Sequence, residues 1–216
     1  MKTEKLIDLL ARDGKPVKPM QHPPVRFAIW LLLTSALILF TYPAVSYFFG
    51  HPFQLNRDLT GFFLLFATTL ILGFLAFVLN SPVLMNPILK YLISAVFFIW
   101  IARTIVMVFF LEESVFEHLM HMYSGHPHTG CMANTYIYFI IPFFIIILML
   151  RTGYTLDKHL AGFYAVTASL SIAELMTSAM CPHAEPLHTL VWHIVPIIPL
   201  PIAVWILSEK IFTNAK

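Results

Sequence analysis

Long apolar runs separated by short polar breaks dominate the chain. Runs near the length that crosses a bilayer as a helix, about 20 residues, fall roughly at 27–49, 59–79, 87–111, 133–150, 160–180 and 189–208. Hydrocarbon offers no partner to a backbone N–H or C=O, so these six runs predict helices, which satisfy both internally. The breaks carry turn chemistry: Gly50-His51-Pro52, Asn80-Ser81-Pro82, Asn86-Pro87, Gly153, Pro182 and Pro186. Pro142, Pro196, Pro199 and Pro201 lie inside runs and predict kinks that neighbouring helices tolerate. The fold class that follows is all-α: a polytopic membrane protein of six transmembrane helices, without repeats or a large soluble domain.

Composition agrees. Of 216 residues, 59% are hydrophobic and 11% are charged, against roughly a quarter charged in soluble domains. A net charge of +2 is too small to argue for direct nucleic-acid binding. Orientation follows from the basic residues. Lys2, Lys5, Arg12, Lys15, Lys18 and Arg26 precede the first run, and Arg151, Lys158, Lys210 and Lys216 fall on the same side. Both termini are therefore expected in the cytoplasm, with a segment at 1–26, a membrane domain at 27–208 and a tail at 209–216. Residues 112–132 and 181–188 become outer loops, periplasmic in a Gram-negative inner membrane. No short apolar region ending in a cleavage site is visible at the start.

The polar N-terminal segment has a pattern of its own. Thr3 can cap a short helix in which Leu6, Ile7, Leu9, Leu10 and Ala11 form an apolar stripe. Gly14 stops it, and Pro16, Pro19, Pro23 and Pro24 favour an extended continuation. So short a helix is marginal alone and needs a surface to bury its stripe. It either lies on membrane lipid or docks in a partner's groove as a helix followed by an extended strand.

Chemistry-bearing residues gather at the outer side. Of ten histidines, His118, His121, His126, His128, His183, His188 and His193 map to the outer loops or helix ends there, as do the two cysteines, Cys131 and Cys181. Runs four and five share a short inner loop, so they should be antiparallel neighbours. At 1.5 Å rise per residue both return to the outer surface together and bring Cys131 level with Cys181. Such a pair can form a disulfide outside the cytoplasm. With imidazoles it can instead bind Zn(II) or Cu(I), for which His183, His193, His118, His121, His126 and His128 are candidate ligands. Met120, Met122, Met132 and Met180 would add thioethers that favour copper. The histidines can also simply decorate a wet loop. Two charges lie within runs, Arg103 in the third and Glu174 in the fifth. A charge in lipid is expensive unless paired, and their equal depth predicts an Arg103–Glu174 ion pair, as a staple or as a transmitter of outer events. His193 is expected to face either the outer cluster or a helix–helix hydrogen bond.

Leu6-Ile7-Asp8-Leu9-Leu10-Ala11-Arg12-Asp13, then Pro16-Val17, Pro23-Pro24, Arg26 and Trp30, resembles the start of the NrsF family, negative regulators of sigma-F type. Gly130-Cys131, Arg151-Thr152-Gly153, Leu160-Ala161-Gly162, Cys181-Pro182 and Trp192-His193 extend the likeness along nearly the whole chain. The resemblance implies a membrane anti-sigma factor and no enzymatic activity. It implies that Leu6, Ile7, Leu9, Leu10, Arg12, Asp13, Pro16 and Val17 contact an extracytoplasmic-function (ECF) sigma factor, and that Cys131 and Cys181 sense heavy metal or oxidant. Other classes fit less well. A membrane thiol oxidoreductase would favour a Cys-x-x-Cys pair, absent here, and a haem protein would need histidines facing each other deep in the bundle. A metal or ion transporter is the alternative, with the prolines of the sixth run as its broken helix.

Overall fold

The computed structural model describes residues 21–49, 58–81, 87–111, 129–153, 155, 157–181 and 185–212. These form α1 (Pro23–Phe49), α2 (Leu59–Leu79), α3 (Pro87–Leu111), α4 (Thr129–Leu150), α5 (Lys158–Met180) and a broken helix α6 (Pro186–Phe212). No strand occurs among the described residues. Five of these helices are long and apolar enough to cross a membrane, and α3 holds a shorter apolar stretch, Ala95–Phe110. The chain is thus an all-helical, multi-pass membrane-type protein, and the count of six spans is approximate.

Boundaries shift where proline acts as a starter. α1 begins at Pro23, not at 27, and α6 begins at Pro186, not at 189. Proline lacks only an N–H that the first turn leaves unpaired anyway, so Pro23, Pro24 and Pro186 open helices instead of holding an extended chain. Arg26 therefore lies inside α1 and is buried.

Helix α5 sits in the middle and packs against α2, α4 and α6. α1 rests on α4 and α2, and α3 on α2 and the start of α6. Among the five spans α5 has the lowest mean hydropathy, 1.3, and the largest buried share, 83%. The two facts have one cause. Lipid selects apolar surface on the outer helices, such as Leu39, Phe40, Phe109 and Ile206, whereas a surrounded helix is free to be small and polar. Ala161, Gly162, Ala165, Ala168 and Ala173 let its neighbours approach. The hydroxyls of Thr167, Ser169 and Ser171 donate back to the carbonyls of Phe163, Ala165 and Thr167.

At one end of the bundle, Arg26 donates to the Asn80 side-chain oxygen, the Met149 carbonyl and the Thr152 hydroxyl. Asn80 in turn donates to the Leu150 carbonyl and the Thr155 hydroxyl. The start of α1 is thereby tied to the ends of α2 and α4. One helical turn further, Trp30 donates to the Pro142 carbonyl at 3.0 Å and its ring lies on Gly73 of α2. A Cβ at Gly73 would meet that ring at 2.7 Å. Gly73→Ala is expected to destabilise the bundle by about 1–3 kcal/mol through overpacking, measured as a lower thermal midpoint in detergent micelles; an unchanged midpoint would show that Trp30 can move aside.

Candidate metal- and thiol-binding site

The other end of the bundle gathers the sulfurs. Cys131 lies in the first turn of α4 and Cys181 directly follows α5. Both are buried, and their Sγ atoms are 3.4 Å apart as free thiols. Just beneath, the Thr135 hydroxyl lies 3.1 Å from the Cys131 carbonyl and 3.1 Å from the Thr177 hydroxyl, pinning α4 to α5.

Two imidazoles of α6 complete the group. His188 Nε2 is 3.3 Å from Cys181 Sγ. The rings of His188 and His193 stand edge to face with centroids 5.3 Å apart. One ligand atom from each of Cys131, Cys181, His188 and His193 falls within 4.8 Å of all the others. A tetrahedral ion with bonds of about 2.0–2.3 Å to nitrogen and sulfur separates its ligand atoms by roughly 3.3–3.8 Å, so the set can close on one ion with small adjustments. The hydrogen bond with Cys131 and burial push the Cys181 thiol above its ordinary pKa, while His188 and His193 pull it down.

The local structure of α6 explains this convergence. In an α-helix, residues five apart point about 140° away from each other. Here Thr189–Ile194 is a π-helical turn, in which the Val195 N–H bonds to the Leu190 carbonyl. The wider turn brings residues five apart nearly into line, and His188 and His193 share one face. A short 3-10 stretch follows, Val195–Ile197, which contains Pro196, and Pro199 opens the α-helical remainder; neither proline can donate.

Two expectations from the sequence need correction, and one of its alternatives is resolved. Arg103 and Glu174 do not pair. Arg103 makes a two-pronged ion pair with Asp58 at 2.6 and 2.7 Å, while Glu174 Oε1 lies 2.9 Å from His193 Nδ1 and accepts from Ser178 at 2.7 Å. The reason is topological: α3 packs on α2, so Arg103 meets Asp58, the residue that caps α2 through the Gly61 N–H. The Met180 sulfur also does not join the thiols. It faces the Tyr138 hydroxyl at 3.5 Å and the Asn134 amide at 3.8 Å. His193 serves both of its alternatives, one nitrogen on Glu174 and the ring beside Cys181. His118, His121, His126, His128, His183, Met120 and Met122 lie outside the described residues, as do Leu6, Ile7, Leu9, Leu10, Arg12, Asp13, Pro16 and Val17.

From the sequence alone, His188 falls with the outer histidines but not among the candidate ligands, and Asp58 is not singled out at all. An α-helical reading puts His188 and His193 on different faces, and only the run of prolines hinted at a broken helix. Asp58 carried a readable signal, an acid directly before a helical run.

The proximity of the thiols makes a direct prediction. Mild oxidation of the purified protein is expected to form an intramolecular Cys131–Cys181 bridge, read as the loss of two alkylatable thiols under denaturing conditions. Two thiols still alkylated after oxidation would mean that the sulfurs do not meet in solution.

No curated protein and no solved structure matches the chain. The profile of the NrsF family, described as negative regulator of sigma F, matches residues 10–212, which is nearly the whole chain. A regulatory family of this description implies a sigma factor as partner, and the chain is a member of it: it belongs to the NrsF family of negative regulators of sigma F.

Proposed function

We propose that this chain is an anti-sigma factor of the bacterial inner membrane. Its N-terminal segment, residues 1–26, holds an ECF sigma factor inactive and releases it when the Cys131/Cys181 site meets a heavy metal or an oxidant. What supports this reading is one arrangement, in a chain of a sigma-regulating family. Two thiols and two imidazoles gather at one end of a helical bundle, and the N-terminal segment enters at the other.

The site suits either signal. For a metal, Cys131 and Cys181 would give up their thiol protons and, with His188 and His193, would hold the ion. That set fits Zn(II), and the soft sulfurs also accept Cu(I). The Met180 sulfur is occupied by Tyr138 and Asn134, which removes one feature that would have favoured copper. With an oxidant, two S–H bonds give way to one S–S bond, two electrons pass to the oxidant and two protons leave. Either event pulls Cys131 of α4 and Cys181 of α5 into a fixed spacing.

Transmission needs a bundle with two states that the signal favours unequally. α4 carries Cys131 at one end and, at the other, the Met149 carbonyl that accepts from Arg26. Arg26 stands at the root of the N-terminal segment. A shift of α4 along α5 therefore reaches that segment through one buried guanidinium, and the tilt of α1 is the moving part.

Three predictions test the reading. Deleting residues 1–22 is expected to abolish co-purification of a sigma factor with the membrane protein, identified by mass spectrometry. Persistent association would reduce the segment to an anchor, and serine at Cys131 and Cys181 should leave association intact but fix the signalling state in a transcriptional reporter. Arg26→Gln is expected to uncouple the two ends: the thiols oxidise as in the wild type while the reporter no longer follows. A reporter that still tracks the oxidant would rule out this route.

A further inference from the structure

Glu174 is a costly residue where it stands. It lies within a membrane-spanning helix, its side chain is 1% exposed, and its Oε2 finds no hydrogen-bond partner among the described residues. A charge in hydrocarbon costs several kcal/mol, and a buried ion pair is weak grounds for stability, because replacing both partners by apolar residues is often neutral or better, although removing one alone is destabilising. The residue on which its other oxygen acts is His193, also 1% exposed, with Nδ1 2.9 Å from Glu174 Oε1. Ser178, one turn along α5, steadies that oxygen from the other side at 2.7 Å.

An imidazole with one ring nitrogen fixed has a defined second nitrogen. A carboxylate oxygen accepts, so Nδ1 carries a proton, and in the neutral ring that a metal ion binds, Nε2 presents the lone pair. Nε2 of His193 is buried without a hydrogen-bond partner among the described residues, and the ring lies beside Cys181. A buried ring nitrogen with no hydrogen-bond partner among the described residues, in a histidine grouped with two thiols and a second imidazole, is suited to bind a metal. Outer carboxylates of this kind set the tautomer and angle of metal-binding histidines in general.

We infer that Glu174 is a positioning residue: through Nδ1 it locks His193 so that Nε2 becomes a ligand to an ion held by Cys131, Cys181 and His188. The inference rests on the metal reading proposed above. In the absence of Glu174 the ring is free to turn either nitrogen toward the sulfurs, and the ion loses an oriented ligand without losing any ligand residue.

The test uses the full chain in detergent micelles. Zn(II) affinity is measured by competition with a chromophoric chelator, and Co(II) absorption reports thiolate ligation. Glu174→Leu is expected to weaken Zn(II) binding of the folded protein 10–100-fold, and Glu174→Gln separates this from any fall in the thermal midpoint of the metal-free protein. Glu174→Gln, which keeps an acceptor oxygen, should recover most of that loss with a Co(II) spectrum close to wild type. Equal affinity in Glu174→Leu and wild type would overturn the inference. So would a loss that Glu174→Gln does not recover and that parallels a fall in thermal midpoint, since packing alone then explains it. If Glu174→Leu fails to fold, Ser178→Ala decides, with a roughly threefold loss expected and an unchanged affinity overturning. Wild-type protein that takes up neither Zn(II) nor Co(II) overturns the underlying metal reading itself, which separates the two failures.

Discussion

Hydrocarbon provides no hydrogen-bond partner, and helix α5 shows what that constraint does to this chain. Its hydroxyls, small residues and single carboxylate are tolerable only because α2, α4 and α6 enclose them. Lipid-facing helices use polar positions sparingly, and the thiol and imidazole chemistry falls on α5 or on the helices packed against it. The site is a consequence. Cys181 ends α5, Glu174 lies within it, and Cys131, His188 and His193 come from the helices that cover it.

The same constraint shapes both ends of the bundle. Where α1 starts, Arg26 satisfies its guanidinium on one side-chain amide, one hydroxyl and one carbonyl, without an opposing carboxylate among these contacts. Buried polar groups survive by complete pairing, and the pairing here joins three separate helix ends. At the opposite end, Arg103 takes both oxygens of Asp58 while Glu174 is left to His193. Two acids and two bases lie toward this end, and helix adjacency chooses between the pairings. The two pairs are thereby separated: Asp58–Arg103 holds α2 to α3, and Glu174–His193 lies beside the thiols.

Much of this was readable in the residues. Apolar run length set the spans because the transfer of side chains into lipid is additive along a helix and indifferent to neighbours. Cys131 and Cys181 could be brought together because a short loop forces α4 and α5 antiparallel and a fixed rise per residue then sets their level. The NrsF resemblance rested on order and identity of residues, and the family match over residues 10–212 agrees with it. The Arg103–Glu174 pairing failed for a definite reason: depth is one coordinate, and the azimuth of a helix around the bundle is another that hydropathy does not encode.

What the sequence by itself determined is the set of helices, the antiparallel order of α4 and α5, and the presence of two sulfurs at one level. All of these follow from local properties, namely transfer energy, helix rise and loop length. Only the tertiary structure decided that α5 is central, that Asp58 claims Arg103, and that His188 belongs to the site. Those outcomes depend on which helix faces which and on a π-helical turn whose wider pitch overrides the α-helical period. Both arise from packing between segments distant in the chain, and no single segment carries that information.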